Sequence, residues 1–312
     1  MLDTTKYNAL SLAQPTDFRA MVKSGDLLWG TSCRILSEEA ARVVATLPHH
    51  FCFIDMEHSP LNATLLAAII KTIQFHSAGS MVPYVRIPWN SLDMVTYALN
   101  AGAGGVVVPH VQNAEQAARL VRMAKFPPLG ERSYPPMTLF GKQTRTKERQ
   151  TVYDVWNEHA AVFCQIEDVD GVQNVEEIAS VPGVDGLMVG ASDLRFSLGL
   201  EAGSGDGDEP CFLDALEKIQ AAADRHHLCV LGFAMTPAVL QRRLQRGWRA
   251  FIIHGDAAGI VASGDQSLQS SLEVVATVPA RANNGANGFK ACVSTAPPLP
   301  PLENGHTVDL AS

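Results

Sequence analysis

Eight short apolar runs alternate with longer amphipathic segments along this chain, and this alternation limits the possible folds more than any other feature. The runs are rich in Val, Ile, Leu and Phe and are too continuous for half-exposed antiparallel strands, so they predict buried parallel strands. The predicted strands are Leu27–Ser32, Phe51–Asp55, Met81–Arg86, Gly105–Pro109, Ala161–Glu167, Val184–Val189, Cys229–Phe233 and Ala250–Ile253. Strands that alternate with helices in this way indicate an α/β protein with a parallel sheet.

The number of repeats favours a closed barrel over an open sheet. Eight strand–helix units are what a (β/α)₈ TIM barrel requires. An open sheet that binds a dinucleotide should carry GxGxxG after its first strand, whereas this chain has GTSCRILS there. We therefore predict a (β/α)₈ TIM barrel that forms a single domain with a C-terminal tail.

Two terminal segments and one insertion fall outside the strand–helix pattern. We predict an N-terminal extension over 1–24, the barrel over 25–277, and a flexible C-terminal tail, rich in Pro, Asn and Gly, over 278–312. The insertion Phe126–Gln150 contains PPLGERSYPP and the basic run KQTRTKER. Because long connections in compact domains are often functional, we expect the insertion to form part of an active-site lid or an interface.

Composition argues against several classes of protein. A net charge of −8 over 312 residues does not suit a nucleic-acid surface, which needs a basic stripe. No apolar stretch reaches the length of about 20 residues that a membrane-spanning helix needs, and the N-terminus lacks the pattern of a secretory signal. The six cysteines lack CxxC or zinc-like spacing, which is typical of reduced, buried thiols. These features predict a cytoplasmic protein without nucleic-acid or membrane partners.

Charged and polar side chains collect where the predicted strands end. In a parallel barrel the catalytic groups lie at the C-terminal ends of the strands. Those positions here carry Asp55, Glu57, His58, Arg86, His110, Gln165, Glu167 and Asp193. Any one of them has an ordinary structural explanation, such as a helix cap, but random surface charge would be spread over both ends of the barrel. Their joint position therefore predicts an active site at this end.

The residue types at this end suit metal-assisted chemistry on a 2-oxo acid. Two carboxylates from neighbouring strands, with water and a chelating substrate, give the oxygen ligands that Mg²⁺ or Mn²⁺ prefers, whereas zinc would want more His or Cys. Such an ion polarises the substrate carbonyl and stabilises an enolate. Arg86 would add a cationic donor at the developing oxyanion, and His58 would shuttle a proton while Asp55 fixes its tautomer. The small-residue turn Gly190–Asp193 would offer backbone N–H groups to the substrate carboxylate.

Several segments, taken in order, resemble one known family. They are FIDMEHSP, VRIPWN, GAGGVVVPHVQNAEQA, FPPLGERS, CQIEDVDGVQNVEEIASVPGVDGLMVGASDL and LGL, within about Gly25 to Gly255. Together they resemble the HpcH/HpaI class II aldolases of the phosphoenolpyruvate/pyruvate superfamily, which are metal-dependent. The N-terminal stretch and the histidine of VPH are most similar to the fungal macrophomate synthase branch of that family.

The resemblance implies a role for each candidate residue. Glu167 and Asp193 would bind the metal ion, with Mg²⁺ expected and Mn²⁺ or Co²⁺ as alternatives. Arg86 would stabilise the enolate, and Asp55 with His58 would handle the proton. The further substrate contacts that we predict are Gln165, Ser192, Trp29, Gly190, His110 and Tyr153. His110 and Tyr153, together with Arg86, would contact a second substrate.

The resemblance implies a carbon–carbon lyase but leaves the reaction open. The first expectation is oxaloacetate decarboxylation, with possible capture of the pyruvate enolate by a second substrate. The alternatives are reversible cleavage of 4-hydroxy-2-oxo acids to pyruvate and an aldehyde, and a non-catalytic barrel protein. The implied partners are a small 2-oxo acid and further copies of the chain in a homohexamer, a trimer of dimers. The aldolase motif GPADLS reads GASDLR here, and we expect Arg195 to border the pocket for the second substrate.

Overall fold

Eight parallel strands close into a barrel in this computed structural model, which describes residues 3–9, 11, 13, 15–135, 142–201 and 206–277. The strands are β1 Leu28–Cys33, β2 Phe51–Asp55, β3 Val82–Arg86, β4 Gly105–Val108, β5 Ala161–Ile166, β6 Gly186–Val189, β7 Cys229–Phe233 and β8 Ala250–Gly255. Each strand pairs with the next one, and β8 pairs with β1. The prediction of a (β/α)₈ TIM barrel is confirmed, while the predicted tail over 278–312 lies outside the described residues.

Helices surround the barrel and connect successive strands. They are α1 Phe18–Lys23, α2 Glu38–Val44, α3 Ala63–His76, α4 Asp93–Ala101, α5 Ala114–Ala124, α6 Val152–His159, α7 Val169–Gln173, α8 Val175–Ala179, α9 Ala191–Ser197, α10 Pro210–Arg225, α11 Pro237–Gln245 and α12 Asp256–Thr277. Ser37, Asn62 and Asn113 cap α2, α3 and α5 by accepting backbone N–H groups of the first turn. Within the described ranges, no helix combines the length and the apolar character needed to span a membrane.

The two-residue repeat of the strands decides which side chains enter the barrel. Phe51 and Phe53 of β2 are buried in the interior, where they pack in one cluster with Tyr84 of β3. Ile54 belongs to a different cluster, formed between the strands and the helices. Because alternate side chains share a face, the inward face of β2 ends in the carboxylate of Asp55. The interior is therefore apolar through its middle and polar at its carboxyl end.

Helix α1 closes the amino-terminal end of the barrel. The ring of Phe18 lies 5.8 Å from that of Phe51 and 5.5 Å from that of Tyr84, measured between centroids. Arg19 donates from Nε to Asp185, which directly precedes β6, over 2.6 Å. These contacts attach the segment predicted as an N-terminal extension to the floor of the barrel.

The described part of the insertion Phe126–Gln150 also lies at the amino-terminal end. It follows a helix, α5, and Lys125, the residue directly before the insertion, donates from Nζ to the carbonyl of Ala160, directly before β5. The hydroxyl groups of Thr144 and Ser11 lie 3.1 Å apart, which joins the insertion to the N-terminal segment. The described part of the insertion packs where the strands begin, at the end of the barrel opposite the predicted site. The prediction that the insertion forms a lid over the site of its own chain is therefore wrong. The alternative, an interface, stays a prediction.

Candidate active site

Seven of the predicted site residues form one connected network at the carboxyl end of the barrel. They are Asp55, Arg86, His110, Gln165, Glu167, Gly190 and Asp193. Four of them, Asp55, Arg86, Gln165 and Glu167, are no more than 6% exposed. Burial of this many charged and polar groups is costly unless they are paired or bind a ligand, so their partners decide what the site can do.

Arg86 is held in place by two carboxylates. It donates from Nε and Nη2 to Asp55 over 2.9 and 2.6 Å, and its Nη1 lies 3.0 Å from Oε2 of Glu57. Burial opposes ionisation of both Asp55 and Arg86, but their hydrogen bonds and opposite charges outweigh it. The pKa of Asp55 is therefore lowered and the pKa of Arg86 is raised. Arg86 is thus a fixed and permanently charged donor.

His58 lies beside Glu57 and not, as predicted, against Asp55. The Oδ1 atom of Asp55 accepts the backbone N–H groups of Glu57 and His58 over 3.0 and 3.3 Å. Arg86 donates hydrogen bonds to both oxygens of the same carboxylate. The imidazole of His58 is 54% exposed, and its Nε2 lies 3.8 Å from Oε2 of Glu57. The prediction that Asp55 fixes the tautomer of His58 is therefore wrong, because Asp55 holds Arg86 and the loop backbone instead.

Glu167 is a buried carboxylate close to a second acid. Gln165 donates from Nε2 to Oε2 of Glu167, and the backbone N–H of His110 donates to Oε1 over 2.8 Å. Burial raises the pKa of Glu167 to about 7, and the negative charge of Asp193 adds to the rise, although the Gln165 hydrogen bond opposes it. Asp193 itself is exposed in the first turn of α9. The two predicted metal ligands thus lie near enough to repel each other.

The surroundings of Glu167 fit a divalent cation. The Oε1 atom of Gln165 is buried without a hydrogen-bond partner in the described part of the chain, so an acceptor beside the carboxylate is unused. A Cβ atom on Gly190 would overlap Oε2 of Glu167, so glycine keeps this edge of the carboxylate open. Among the described residues, no group of three or more His, Cys, Asp or Glu side chains could hold a metal. An ion beside Glu167 and Asp193 would therefore complete its shell with water and substrate oxygens, which suits Mg²⁺.

His110 acts on Glu167 through its backbone. Its φ angle of +53° is in the left-handed region, which few non-glycine residues adopt, and its N–H bonds to the Glu167 carboxylate. The imidazole is 49% exposed, with Nδ1 3.4 Å from Oε1 of Glu167 and 3.7 Å from Oδ2 of Asp168. Ser192 is exposed on α9, whose N-cap is Gly190. The substrate contacts predicted for these residues stay predictions.

Two predicted substrate contacts lie away from this site. Trp29 is the second residue of β1, and it packs between the strands and the helices, with its ring centroid 5.8 Å from that of Phe251. Tyr153 lies on α6, which precedes β5, and packs against Phe126 at the amino-terminal end. Neither side chain reaches the site of its own chain. The structure corrects both predictions, since Trp29 is on the outer face of its strand and Tyr153 lies before a strand instead of after one.

Arg195 fastens α9 to α10 and does not border the pocket. Its Nη1 and Nη2 atoms donate to the two carboxylate oxygens of Glu209, each over 2.7 Å. The guanidinium also lies 5.3 Å from the ring centroid of Phe212. The expectation for Arg195 is therefore wrong, because the change from the aldolase motif alters how α9 is anchored and not what lines the site.

Arg34 is a functional candidate that the sequence reasoning missed. It follows β1 directly, and its Nε lies 3.8 Å from Oδ2 of Asp55. Its position directly after the first strand is the sequence feature that could have identified it.

A cavity of about 480 Å³ opens beside Glu57 and His58, lined by residues 56–61 together with Pro88, Ser91 and Met94. The site therefore extends from the network around Glu167 toward the loops that follow β1, β2 and β3.

Substitution of Gly190 by Ala is expected to weaken binding of a divalent cation by at least about tenfold. The added Cβ would overlap the Glu167 carboxylate and lie 3.0 Å from Nε2 of Gln165, so both side chains must move. Calorimetric titration with Mn²⁺ measures the effect. Gly264→Ala is the matched control, because a Cβ at that position meets nothing within 4 Å. Equal affinity in the two variants would contradict the placement of the cation at Glu167.

The chain is similar to proteins of known structure and activity. The crystal structure of macrophomate synthase superimposes with a TM-score of 0.79 at 30% identity, over 88% of this chain and 95% of that chain. The hydroxypyruvate/pyruvate aldolase of Paraburkholderia phytofirmans is 32% identical over 256 residues, which are 80% of this chain and 95% of the relative. The 4-hydroxy-4-methyl-2-oxoglutarate aldolase of Chaetomium globosum is 37% identical over 188 residues, 58% of this chain and 65% of the relative.

The sequence profile of one family covers most of the chain. The HpcH/HpaI aldolase/citrate lyase profile matches residues 36–259, a range that contains the whole network around Arg86 and Glu167. The resemblance inferred from the sequence is confirmed. The chain therefore belongs to the HpcH/HpaI aldolase/citrate lyase family.

Proposed function

We propose that this protein is a divalent-metal-dependent carbon–carbon lyase that acts on a small 2-oxo acid through a pyruvate enolate. The observation that carries the proposal is the proximity of two carboxylates, Glu167 and Asp193, close to the fixed guanidinium of Arg86. Enolate chemistry requires these two elements, a cation site for the chelating oxygens and a cationic donor for the developing oxyanion.

Glu167 and Asp193 would hold the cation, and Mg²⁺ is the proposed ion because the donors are oxygens. When bound, the ion supplies a Lewis acid for the ketone and carboxylate oxygens of the substrate. Gln165 orients Glu167 through its hydrogen bond. The backbone N–H groups of Ser192 and Asp193, in the first turn of α9, would bind the substrate carboxylate.

Arg86 would bind the substrate oxygen on which negative charge develops. Asp55 and Glu57 hold its guanidinium before any substrate arrives, so little reorganisation accompanies the reaction. Arg86 is also almost completely buried, and the surrounding protein therefore screens its charge less than water would. This pre-positioned donor favours the enolate over the ketone.

Pyruvate release from oxaloacetate tests the proposal directly. The purified full-length protein is incubated with oxaloacetate and Mg²⁺, with and without a chelator, beside a protein-free control at the same Mg²⁺ concentration. We expect release above the protein-free rate that disappears with the chelator and returns when Mg²⁺ is added back. No release above the protein-free rate would instead favour the non-catalytic barrel, and release that the chelator leaves unchanged would contradict the metal dependence.

Aldol cleavage of 4-hydroxy-2-oxo acids is a second reaction of the same enolate. The exposed imidazole of His58 favours it, because cleavage must remove the proton of the C4 hydroxyl group and His58 is accessible to accept it. Decarboxylation needs no such base, since CO₂ leaves without proton transfer. The names of the relatives from Paraburkholderia phytofirmans and Chaetomium globosum, both aldolases, support the same reaction.

Substitution of His58 by Asn is expected to separate the two reactions. Loss of a general base lowers the rate by about a hundredfold or more, so aldol cleavage should fall by this factor while decarboxylation changes much less. Rates of pyruvate release from a 4-hydroxy-2-oxo acid and from oxaloacetate measure the difference. His76→Asn, an exposed histidine on α3, is the control. An equal loss in both reactions would contradict this role for His58.

We also propose that the chain forms a homohexamer, a trimer of dimers. Helix α12 supports an oligomer because its 22 residues expose an unusual number of apolar side chains. The exposed residues are Ile260, Val261, Leu268, Leu272, Val274 and Val275. Apolar surface of this extent is often covered by another protein surface. Light scattering of the purified protein, with 33.5 kDa per subunit, measures the state, and a monomer would contradict the proposal.

A further inference from the structure

Two guanidinium groups converge on one carboxylate oxygen at the carboxyl end of the barrel. The Oδ2 atom of Asp55 accepts Nη2 of Arg86 over 2.6 Å, and it lies 3.8 Å from Nε of Arg34. The second distance is longer than a hydrogen bond. Within the described residues, the side chain of Arg34 therefore has an electrostatic neighbour but no hydrogen-bond acceptor, and it is 36% exposed.

The backbone beneath the Arg34 side chain is fixed. Its N–H donates to both carboxylate oxygens of Asp256, each over 3.0 Å, and the N–H of Ile35 donates to the same group over 2.9 Å. Asp256 is buried at the start of α12. Arg34 thus combines an anchored backbone with a guanidinium whose donors are available to a ligand.

The acids near Arg34 do not accept hydrogen bonds from its side chain. Asp55 and Glu57 already compensate Arg86, and Asp256 is engaged with backbone N–H groups. Arg34 shares Asp55 only at a distance. A carboxylate of the substrate could therefore accept hydrogen bonds from Arg34, and the planar guanidinium matches a carboxylate with two parallel hydrogen bonds.

We propose that Arg34 binds a second carboxylate, attached to C4 of the substrate, and so selects 4-hydroxy-2-oxo dicarboxylic acids over their monocarboxylic analogues. This inference rests on the proposed lyase function. In the cleavage, the proton of the C4 hydroxyl passes to His58 and the C3–C4 bond breaks. Its electron pair forms the pyruvate enolate, and C4 becomes the carbonyl carbon of a second 2-oxo acid. The carboxylate attached to C4 is unchanged throughout, so Arg34 contributes binding and orientation.

Arg34 lies on the side of the site that this substrate orientation requires. His58, the proposed base for the C4 hydroxyl, follows β2, and Arg34 follows the neighbouring strand β1. Both residues neighbour Asp55, His58 through its backbone N–H and Arg34 through its guanidinium. A substrate whose first carboxylate binds the cation beside Glu167 and Asp193 would therefore extend its C4 hydroxyl and second carboxylate toward these two side chains.

A matched pair of ligands tests the proposal by binding alone. 2-Oxoglutarate and 2-oxovalerate are five-carbon 2-oxo acids, and only the first carries a second carboxylate. Calorimetry on the Mg²⁺-loaded full-length protein gives the ratio of their affinities. We expect Arg34→Gln to lower this preference for 2-oxoglutarate by at least about tenfold, the effect of losing a charge-assisted hydrogen bond. Arg34→Lys should retain part of the preference, and Arg42→Gln, an exposed α2 arginine paired with Glu39, should retain all of it.

The same variants give a kinetic readout in the direction of synthesis. The ratio of kcat/KM for addition of pyruvate to glyoxylate and to the neutral glycolaldehyde should fall at least about tenfold in Arg34→Gln. An indirect effect through Asp55 and Arg86 would lower both values equally and leave the ratio unchanged. An unchanged ratio in both experiments would overturn the role of Arg34.

Hydrogen exchange at C3 of pyruvate separates failure of this inference from failure of the proposed function. The wild-type protein with Mg²⁺ in D₂O should exchange these hydrogens, because exchange requires only the enolate. No exchange would overturn the lyase function on which the inference rests. Exchange together with unchanged ligand preference in Arg34→Gln would overturn the role of Arg34 alone.

Discussion

Replacement of Glu167 by Gln is expected to abolish metal-dependent turnover and leave the barrel folded. Glutamine keeps the shape of the side chain but removes the charge that a divalent cation needs, and Asp193 alone is an exposed ligand. The hydrogen bond from the backbone N–H of His110 can still be accepted by the amide oxygen. Mn²⁺ calorimetry and pyruvate release from oxaloacetate measure the two losses.

The same variant should remove a pH dependence of stability. In the metal-free protein, burial raises the pKa of Glu167 from 4.5 to about 7, so the folded state holds more protons than the unfolded state between these values. Stability of the wild-type protein should therefore decrease as the pH rises through this window. Glu167→Gln lacks the titrating group. The difference in Tm between Glu167→Gln and the wild type should therefore increase as the pH rises from 4.5 to about 7.

A surface substitution outside the site is the control for Glu167. Glu177→Gln, on the exposed side of α8, changes the net charge by the same amount without touching the site. It should leave turnover, Mn²⁺ affinity and the pH dependence of Tm as in the wild type. Full turnover in Glu167→Gln with unchanged Mn²⁺ affinity would exclude a metal site at this position.

The two-residue period of a strand explains how much of the site could be predicted. On β2, Phe51, Phe53 and Asp55 share the inward face, and on β3 the same alternation leads from Tyr84 to Arg86. The last residue of an apolar run faces inward if it lies an even number of residues after another inward-facing residue. The length of the run therefore predicts which polar side chains reach the mouth of the barrel. The strands and the positions of the inward-facing polar residues follow from this local rule.

The partners of those residues depend on contacts that no local rule contains. Asp55 lies three residues before His58 in sequence, yet it pairs with Arg86, 31 residues away, because the register of β2 and β3 sets them side by side. Trp29 shows how strongly this rule depends on the exact position in the strand, since a shift of one residue turns a side chain to the opposite face. The placement of Tyr153 depended on the path of the insertion that precedes α6. Contacts of the insertion with the end of α5 and with the N-terminal segment determine that path.

Substitution of Arg86 by Ala is expected to lower kcat for pyruvate release by about a hundredfold to a thousandfold, as loss of an oxyanion donor does. It should also destabilise the fold. The carboxylate of Asp55 is buried, and leaving one member of a buried ion pair without its partner costs about 3–5 kcal/mol. Urea unfolding measures the free energy of unfolding, and initial rates at saturating oxaloacetate measure kcat.

A second substitution separates these two effects of Arg86. Adding Asp55→Asn to Arg86→Ala removes the buried charge that the single variant leaves unpaired, so the free energy of unfolding should recover by most of its loss. The value of kcat should stay low, because the donor to the oxyanion is still missing. Asparagine can still accept the backbone N–H groups of Glu57 and His58, which keeps the loop after β2 in place. If kcat recovered together with stability, Arg86 would act only by holding the fold, and the enolate would need another cationic donor.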